Sequence, residues 1–526
     1  MPMEIPKIEE TKRTAEVNLL LEFIEKILIK LEEQIELNAI LKEEINRLKN
    51  HKGKPKIKPS NMEPKKDRNN NNKNNDGFGG PTGTPPKAEE IIVKATEIPK
   101  GARFKGYQDY EVQEIILGSK VVKYRLERWK LANGEYVVAK LPEEISGYHF
   151  GPKLRSYIIY QNNIGVTEAQ ILEQLKAWGI KISSGELNRL LIENKENFHK
   201  EKEEILEAGI RASTYINVDD TGARHAGKNG YCTHIGNELF AWFSSTGSKS
   251  RINFLELLRH GYGDYVIGEN ALAYMKKEKL PREQMELLRK QAKTFSNKNE
   301  FKKHLQDLGI ETERLVKIIT EGALVGSILE HGFPADFKII SDDAGQFNIF
   351  QHALCWIHAE RGINRLIPLN EKHAKDIETI LEKFWKLYKT IKEYKISPTI
   401  KKVEEITKDF DDLCKIKTSY CLLNNALKRL GKNKKELLLV LKYPEIPLHN
   451  NLSENDIREY VKRRKISGGT RSELGRKYRD TFISLKKTCR KLKINFWEYL
   501  LDRNNKTNKI PYLPTLIRQV ATANTG

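Results

Sequence analysis

No apolar run in these 526 residues approaches the roughly 18 needed to cross a bilayer, which excludes a membrane-spanning protein. The start, MPMEIPKIEETKRTAEV, lacks the charged-then-apolar layout of a secretory leader. Cysteine is scarce. Cys232, Cys355, Cys414, Cys421 and Cys489 are odd in number and mostly far apart, so no disulfide scaffold is expected and the chain reads as cytosolic and reduced. There is no Gly-x-Ser-x-Gly elbow to present a serine nucleophile. A Gly-x4-Gly-Lys-Ser/Thr phosphate loop is missing too, so ATP is not expected as a fuel.

Positive charge is in surplus. Lys and Arg number 92 against 71 Asp and Glu, a net +21, which favours a polyanionic partner, nucleic acid ahead of membrane. The plain alternative is a soluble protein with a basic surface. Hydrophobic residues at 39% exclude wholesale disorder, and the length allows about three domains.

Residues 1–50 carry a heptad: Val17, Leu20, Ile24, Ile27, Leu31, Gln34, Asn38, Leu41, Ile45 and Leu48 alternate in spacings of three and four. Flanking Glu and Lys fit a coiled coil that self-associates, with a dimer expected. An amphipathic helix on its own core would give the same pattern. Residues 51–90, rich in Pro, Gly, Asn and Lys, read as a flexible linker. Residues 91–150 are a small β-rich segment with a turn at Asn133-Gly134. Residues 151–210 are helical. Within them a helix, a turn at Gly179 and a helix opened by Ser183 or Ser184 outline a possible DNA-binding helix-turn-helix, although two helices and a glycine turn are common in any helical protein.

From residue 211 the pattern is mixed α/β. STYINVDD is an apolar run ending in acid, YCTHIGNELFAWFSST a hairpin around Gly236-Asn237, INFLELLRHG a helix, and FKIISDD a second strand tipped with acid. Asp219 and Asp220 follow the first strand, Asp342 and Asp343 the second, and Glu454 falls in the first turn of a later helix. Sites in open α/β sheets form at strand carboxyl ends. Carboxylates converging there need cations, and hard oxygen ligands select Mg²⁺, with Mn²⁺ able to substitute. Each acid also has a plain role. An aspartate at a strand end caps a turn, and Asn451-x-x-Glu454 fits an N-cap with its reciprocal glutamate.

The blocks NVDDTGARH, IISDDAGQF, HALCWIHAER and HNNLSENDIREYVKRRKISGGTRSELG, in that order, resemble those of bacterial transposases of the insertion sequence 66 family. The resemblance spans roughly residues 90–500. It implies a DDE transposase that cuts transposon ends and joins the 3′-hydroxyl to target DNA. The implied fold class is α/β, a ribonuclease-H-like catalytic core over 211–500 with helical insertions near 270–330 and 371–442. An N-terminal coiled coil, a small β segment and a helix-turn-helix-like region precede it, and 501–526 is a C-terminal tail. Matched block by block, Asp219, Asp342 and Glu454 are the catalytic and metal-binding acids, with Asp220 and Asp343 as one-place alternatives. The implied partners are Mg²⁺ and double-stranded DNA, as transposon ends and target, in a cytoplasmic, nucleoid-associated protein. The family often carries a cysteine-rich, zinc-finger-like segment ahead of the catalytic domain, and residues 90–200 contain no cysteine.

Two secondary features accompany the acids. His352, Cys355 and His358 are spaced by three; a structural zinc wants a fourth ligand, and the resemblance makes Cys355 and His358 a structural CxxH element instead. Residues 455–493 hold fourteen Lys and Arg against four acids, leaving +10 (14 − 4). Of these, Arg458, Lys462, Arg463, Arg464, Lys465 and Arg471 are expected to hold DNA phosphates, with Gly468-Gly469-Thr470 letting amides approach an anion. A run of charge is otherwise a solvated helix face. Two rival readings share the fold: a metal nuclease that cuts without joining, and an inactive DNA-binding relic.

Overall fold

The computed structural model describes residues 118–524 except 131, 134, 135 and 292, together with Val17 and Leu20. The expected coiled coil, but for those two residues, and the linker lie outside the described residues. The chain divides into two interleaved compact units. Among described residues beyond position 117, the first holds 214–219 and 250–454, and the second holds 118–213, 220–249 and 455–524.

The second unit opens with β1 (Arg128–Lys130) and β2 (Tyr136–Val138), paired antiparallel. Helices α1 (Pro152–Ile164), α2 (Glu168–Ala177), α3 (Ser184–Ile192) and α4 (Glu196–Arg211) follow. Thr167 and Gln170 cap α2 reciprocally, and Ser183 caps α3 through the Glu186 N–H. Gly179, at φ 75°, turns the chain between them in the left-handed region that glycine adopts freely.

β3 (Tyr215–Gly222) carries the chain from the first unit into the second, where β4 (Tyr231–Gly236) and β5 (Ala241–Thr246) form a hairpin. In the first unit α5 (Arg251–Leu258) leads into an insertion of β6 (Tyr265–Ile267), α6 (Glu269–Lys277), α7 (Arg282–Lys290), β7 (Lys293–Phe295), α8 (Lys298–Asp307) and α9 (Glu313–Glu330). The region expected as helical therefore also holds a small antiparallel ribbon, β6 with β7. β8 (Lys338–Ser341), β9 (Gln351–Leu354) and α10 (Trp356–Asn364) come next. A second, all-helical insertion contains α11 (Glu371–Ile396), α12 (Ile400–Lys415), α13 (Cys421–Lys432) and α14 (Lys434–Leu437). α15 (Asn451–Ser467), α16 (Glu473–Lys491), α17 (Phe496–Asn505) and α18 (Leu513–Asn524) complete the chain. Residues 501–526, expected as a tail, instead hold the end of α17 and all of α18, whose Leu513 and Ile517 are fully buried.

The five-stranded sheet has the order β5-β4-β3-β8-β9. β4 and β5 are antiparallel, while β3 with β8 and β8 with β9 are parallel, so the sheet is mixed. In the first unit the indole of Trp356 anchors the core against Phe384, Tyr388 and Phe410. In the second unit α16 protects the edge strand β5. The N–H groups of Ala241, Phe243 and Ser245 donate to Thr488 Oγ1 (3.1 Å), Ser484 Oγ (2.9 Å) and Asp480 Oδ2 (2.8 Å). Residues 480, 484 and 488 are spaced by four, one stripe of a helix, and they satisfy the backbone donors that an edge strand otherwise leaves unpaired.

Replacing Ser484 with Ala strands the Phe243 N–H in the core. We expect a loss of about 1–3 kcal/mol in denaturant unfolding, whereas Ala at the exposed Lys465 should leave the midpoint unmoved.

Candidate active site

Tyr215, Ile216 and Asn217 of β3 lie opposite Lys338, Ile339 and Ile340 of β8. The pairing runs as far as Asn217 and Ile340; Asp219 stands two places further along β3, and Asp342 is the first residue after β8. Both aspartates therefore stand toward the carboxyl ends of adjacent parallel strands, where sites in α/β sheets form.

Their neighbours are engaged elsewhere. Asp220 accepts a hydrogen bond from Thr233 Oγ1 at 2.5 Å. Asp343 is exposed and bound by Arg429 (Nη2 2.6 Å, Nε 2.8 Å) and Asn433 (3.0 Å). Asp342 also makes the turn expected of a strand-end aspartate, its Oδ1 accepting the Ala344 N–H at 3.1 Å.

Glu454 comes from the first turn of α15. The Glu454 N–H donates to Asn450 O at 3.1 Å, which puts Asn450, one place before the expected Asn451, ahead of the helix. The Asn450 side chain is turned to β3 and is 1% exposed. Its Oδ1 accepts from Asn217 Nδ2 (2.9 Å), its Nδ2 donates to Val218 O (2.7 Å), and its backbone N–H reaches Cys355 Sγ (3.2 Å). Two of these bonds tie the start of α15 to β3, the strand that carries Asp219, and the third ties it to Cys355. Neither Asn450 nor Asn217 stood out in the sequence, because a buried amide pair has no periodic signature.

On α10, Arg361 Nη1 lies 3.2 Å and His358 Nδ1 3.6 Å from Glu454 Oε1. Burial lowers the pKa of His358, opposed by the negative charge of Glu454 and Asp342 and reinforced by Arg361 and Arg365. His358 thus feels both the second and the third acid. Arg361, absent from the residues singled out by sequence, stands three places after His358, a spacing that a helix makes one face.

The spacing of His352, Cys355 and His358 spans two elements, ending β9 and starting α10. Cys355 is buried with its thiol pushed up to about 11 by desolvation, the opposite of a metal-binding thiolate. His352 Nε2 contacts Ser341 Oγ at 2.7 Å, and Ser341 gives its own proton to Asp342 O at 2.6 Å. His352 must therefore be the donor, neutral, with a bare Nδ1 that is buried without a partner.

Among the described residues no three of His, Cys, Asp and Glu close around a metal-sized point. Asp219 and Asp342 offer the hard oxygens that Mg²⁺ selects. Glu454, turned to Arg361 and His358, does not complete the set, so as they stand the three acids do not fit the ion together.

The basic residues sort by burial. Arg463 is turned inward onto Asn162 Oδ1, and Arg464 onto Gly222 O. Lys486 pairs with Glu459 (2.7 Å), and Lys487 and Lys491 pair with the buried Asp456 (3.3 and 2.8 Å). Arg458, Lys462, Lys465 and Arg471 stay exposed. Gly469 is fixed by close backbone approach rather than by an anion, since a Cβ there would meet Arg224 O at 2.4 Å, and the Thr470 N–H is taken by that carbonyl at 2.9 Å.

The sequence model of the transposase IS66 family matches residues 331–478, which include Asp342, the Cys355–His358 element and Glu454. The chain belongs to the IS66 transposase family. A relative from Sinorhizobium fredii, named uncharacterized protein y4jO, is 42% identical over 302 residues, 57% of this chain and 94% of its own length. Membership implies DNA as partner and an enzyme that cuts or transfers phosphodiesters. No described helix of this transposase-family chain is long and apolar enough to cross a membrane.

Burial holds His352 at a pKa of about 4, below its ordinary 6.5. The unfolded chain then binds the extra proton first, so this contribution to stability is full above pH 6.5 and is lost as pH falls toward 4, about 3 kcal/mol in all. His199, also lowered to about 4 by burial, adds a separate share in the second unit. In chemical unfolding from pH 7 to 4, His352→Gln should show a shallower acid limb than wild type. An unchanged limb would contradict the neutral, buried imidazole.

Proposed function

We propose that this protein is a DNA transposase that cuts at transposon ends and joins the freed 3′-hydroxyl to target DNA, on a ribonuclease-H-like core. The observation that carries the reading is that Asp219 and Asp342 stand toward the carboxyl ends of the adjacent parallel strands β3 and β8, within a chain of this family. The sheet supports it as well, with the first acid on its central strand and the second immediately after the neighbouring strand β8.

In this reading Asp219 and Asp342 would hold Mg²⁺ and Glu454 would be the third ligand, away from the contact with Arg361 that this structure shows. A bound ion supplies an activated water or hydroxyl and charge at the leaving oxygen. The residues of the chain do the positioning. β3 and β8 fix two carboxylates rigidly, Asn450 fixes the root of the third, and exposed Arg458, Lys462, Lys465 and Arg471 neutralise DNA phosphates. No covalent enzyme intermediate is required. Pairing of two ends through a dimer of residues 1–50, in a nucleoid-associated protein, belongs to the same proposal.

The test is Mg²⁺-dependent joining of a labelled, pre-cut transposon end into a plasmid. Wild type should join, while Glu454→Gln and Asp219→Asn should lose activity by at least about 10³-fold with end binding retained. Cleavage of uncut ends without any joining would favour the nuclease alternative, and equal activity in wild type and Glu454→Gln would remove Glu454 from the site. In the same preparations, Lys462→Ala should lower the salt dependence of DNA binding by about one phosphate contact.

A further inference from the structure

We propose that β1 and β2 form a ribbon that enters the major groove of duplex DNA, with Arg128 at a base edge and Lys130 on a phosphate. The inference deepens the transposase reading above, on which it rests, by adding a DNA-recognition surface outside the acids and outside the basic run of α15.

The ribbon stands clear of the core. Every described residue from 118 to 140 is exposed. Eight of the seventeen large apolar and aromatic side chains left exposed among the described residues fall within 121–138, Trp129 and Tyr136 among them. Single exposed side chains need no explanation, but a concentration of this kind marks an interaction surface. Charge chooses the partner. Residues 119–140 hold six Lys and Arg against two acids. Among the described residues none of Lys120, Lys123, Arg125, Arg128 and Lys130 forms an ion pair, whereas Lys486, Lys487 and Lys491 of α16 are spent on Glu459 and Asp456. Unspent cations on a protruding element fit a polyanion.

Register sorts the two faces. Arg128 lies opposite Val138, Trp129 opposite Val137 and Lys130 opposite Tyr136. Partners across a ribbon share a face and neighbours along a strand alternate, so Arg128, Lys130, Tyr136 and Val138 project to one side and Trp129 and Val137 to the other. Glu127 belongs to the second side, where its carboxylate accepts the Trp129 indole N–H at 3.1 Å. One face is therefore cationic and the acid is turned to the other. On the cationic face the Arg128 guanidinium lies over the Tyr136 ring, 3.8 Å from its centroid. Stacking fixes the plane of the guanidinium and leaves its N–H edge open, and that planar fork matches the O6 and N7 acceptors of guanine. The major groove, about 12 Å wide, admits a two-stranded ribbon. At the foot of the ribbon, Ser119 Oγ lies 3.6 Å from where a Cβ on Gly179 would stand. The ribbon thus springs from beside the turn between α2 and α3, next to the helix-turn-helix candidate of the same unit.

The experiment measures binding of the full-length protein to a labelled duplex of the transposon end and to a scrambled duplex of equal length, by fluorescence anisotropy across a salt series. The variants are Arg128→Ala, Arg128→Lys, Lys130→Ala and Trp129→Ala. All should keep wild-type circular dichroism, since none of these side chains is buried. Arg128→Ala should bind the end on the order of tenfold more weakly and lose a similar factor of preference over the scrambled duplex. Arg128→Lys should lose the same preference, because it keeps the charge without the fork. Lys130→Ala should weaken both duplexes alike and lower the salt slope by about one. Trp129→Ala, on the far face, should match wild type. Wild-type binding by both Arg128→Ala and Lys130→Ala overturns the inference, and joining of pre-cut ends by wild type in the same preparations leaves the transposase reading standing. Retained preference in Arg128→Lys, or none in wild type, overturns the base contact. A loss in Trp129→Ala as large as in Arg128→Ala overturns the assignment of faces. If wild type neither binds nor joins the end, the transposase reading falls together with this inference.

Discussion

Where β3 and β8 pair in parallel, their carboxyl ends bring Asp219 and Asp342 toward one edge of the sheet, and the groups around the acids answer that concentration of charge. Two unit charges about 5 Å apart repel by about 3 kcal/mol at an effective dielectric constant of 20. The fold meets this locally. Asp342 takes a backbone N–H from Ala344, and α10 brings His358 and Arg361 to the acid on α15. Of the doubled aspartates, Asp220 is bonded to Thr233 and Asp343 to Arg429. Alternation along a strand explains the first pair, with Asp219 on the face of Asn217 and Asp220 on the opposite one.

The second unit obeys a related rule, that buried polar groups must find partners. Its basic residues look from sequence like one phosphate-binding run. Many instead complete the interior, with Lys487 and Lys491 on Asp456, Lys486 on Glu459 and Arg479 on Gly468 O and Ser467 Oγ. The charges that remain for DNA are the exposed ones. A net +10 over the segment therefore overstates its electrostatic reach, because burial by helix α16 consumes part of it.

The elements that build the site were legible because their signals are local. A buried apolar run ending in Asp marks a strand end, and STYINV and FKIIS are β3 and β8. The paired helices around Gly179 followed from capping residues and a glycine at positive φ. What sequence did not reveal depends on distant partners. Asn450 matters because Asn217 and Val218, 233 and 232 residues away, meet it. Arg463 looks like any surface arginine until Asn162 turns it inward. Spacing alone does not show that the chain changes from strand to helix at Cys355, which sets His358 on α10 beside Glu454. Residues 501–526 were expected as a tail, and it is Leu513 and Ile517, both fully buried, that dock the otherwise largely exposed α18.

Long excursions separate the three acids, 123 residues from Asp219 to Asp342 and 112 (454 − 342) from Asp342 to Glu454. Loop-closure entropy grows only logarithmically, about 0.6 kcal/mol per doubling, so length itself is a small penalty; precision of return is the harder requirement. In the first excursion α9 packs so closely on β6 that a Cβ at Gly326 would lie 2.4 Å from Val266 O, so the backbones meet with no room for a side chain between them. In the second, Trp356 acts as the clasp. Its indole N–H donates to Leu437 O and its backbone N–H to Leu448 O, both at 2.9 Å. The returning chain is thereby held beside Cys355, whose sulfur receives the N–H of Asn450 two residues later. From Asn450 one helical turn leads to Glu454. The Cys355-Trp356 pair is therefore less a ligand motif than the point where a helical insertion is closed, and it sets where the third carboxylate can stand.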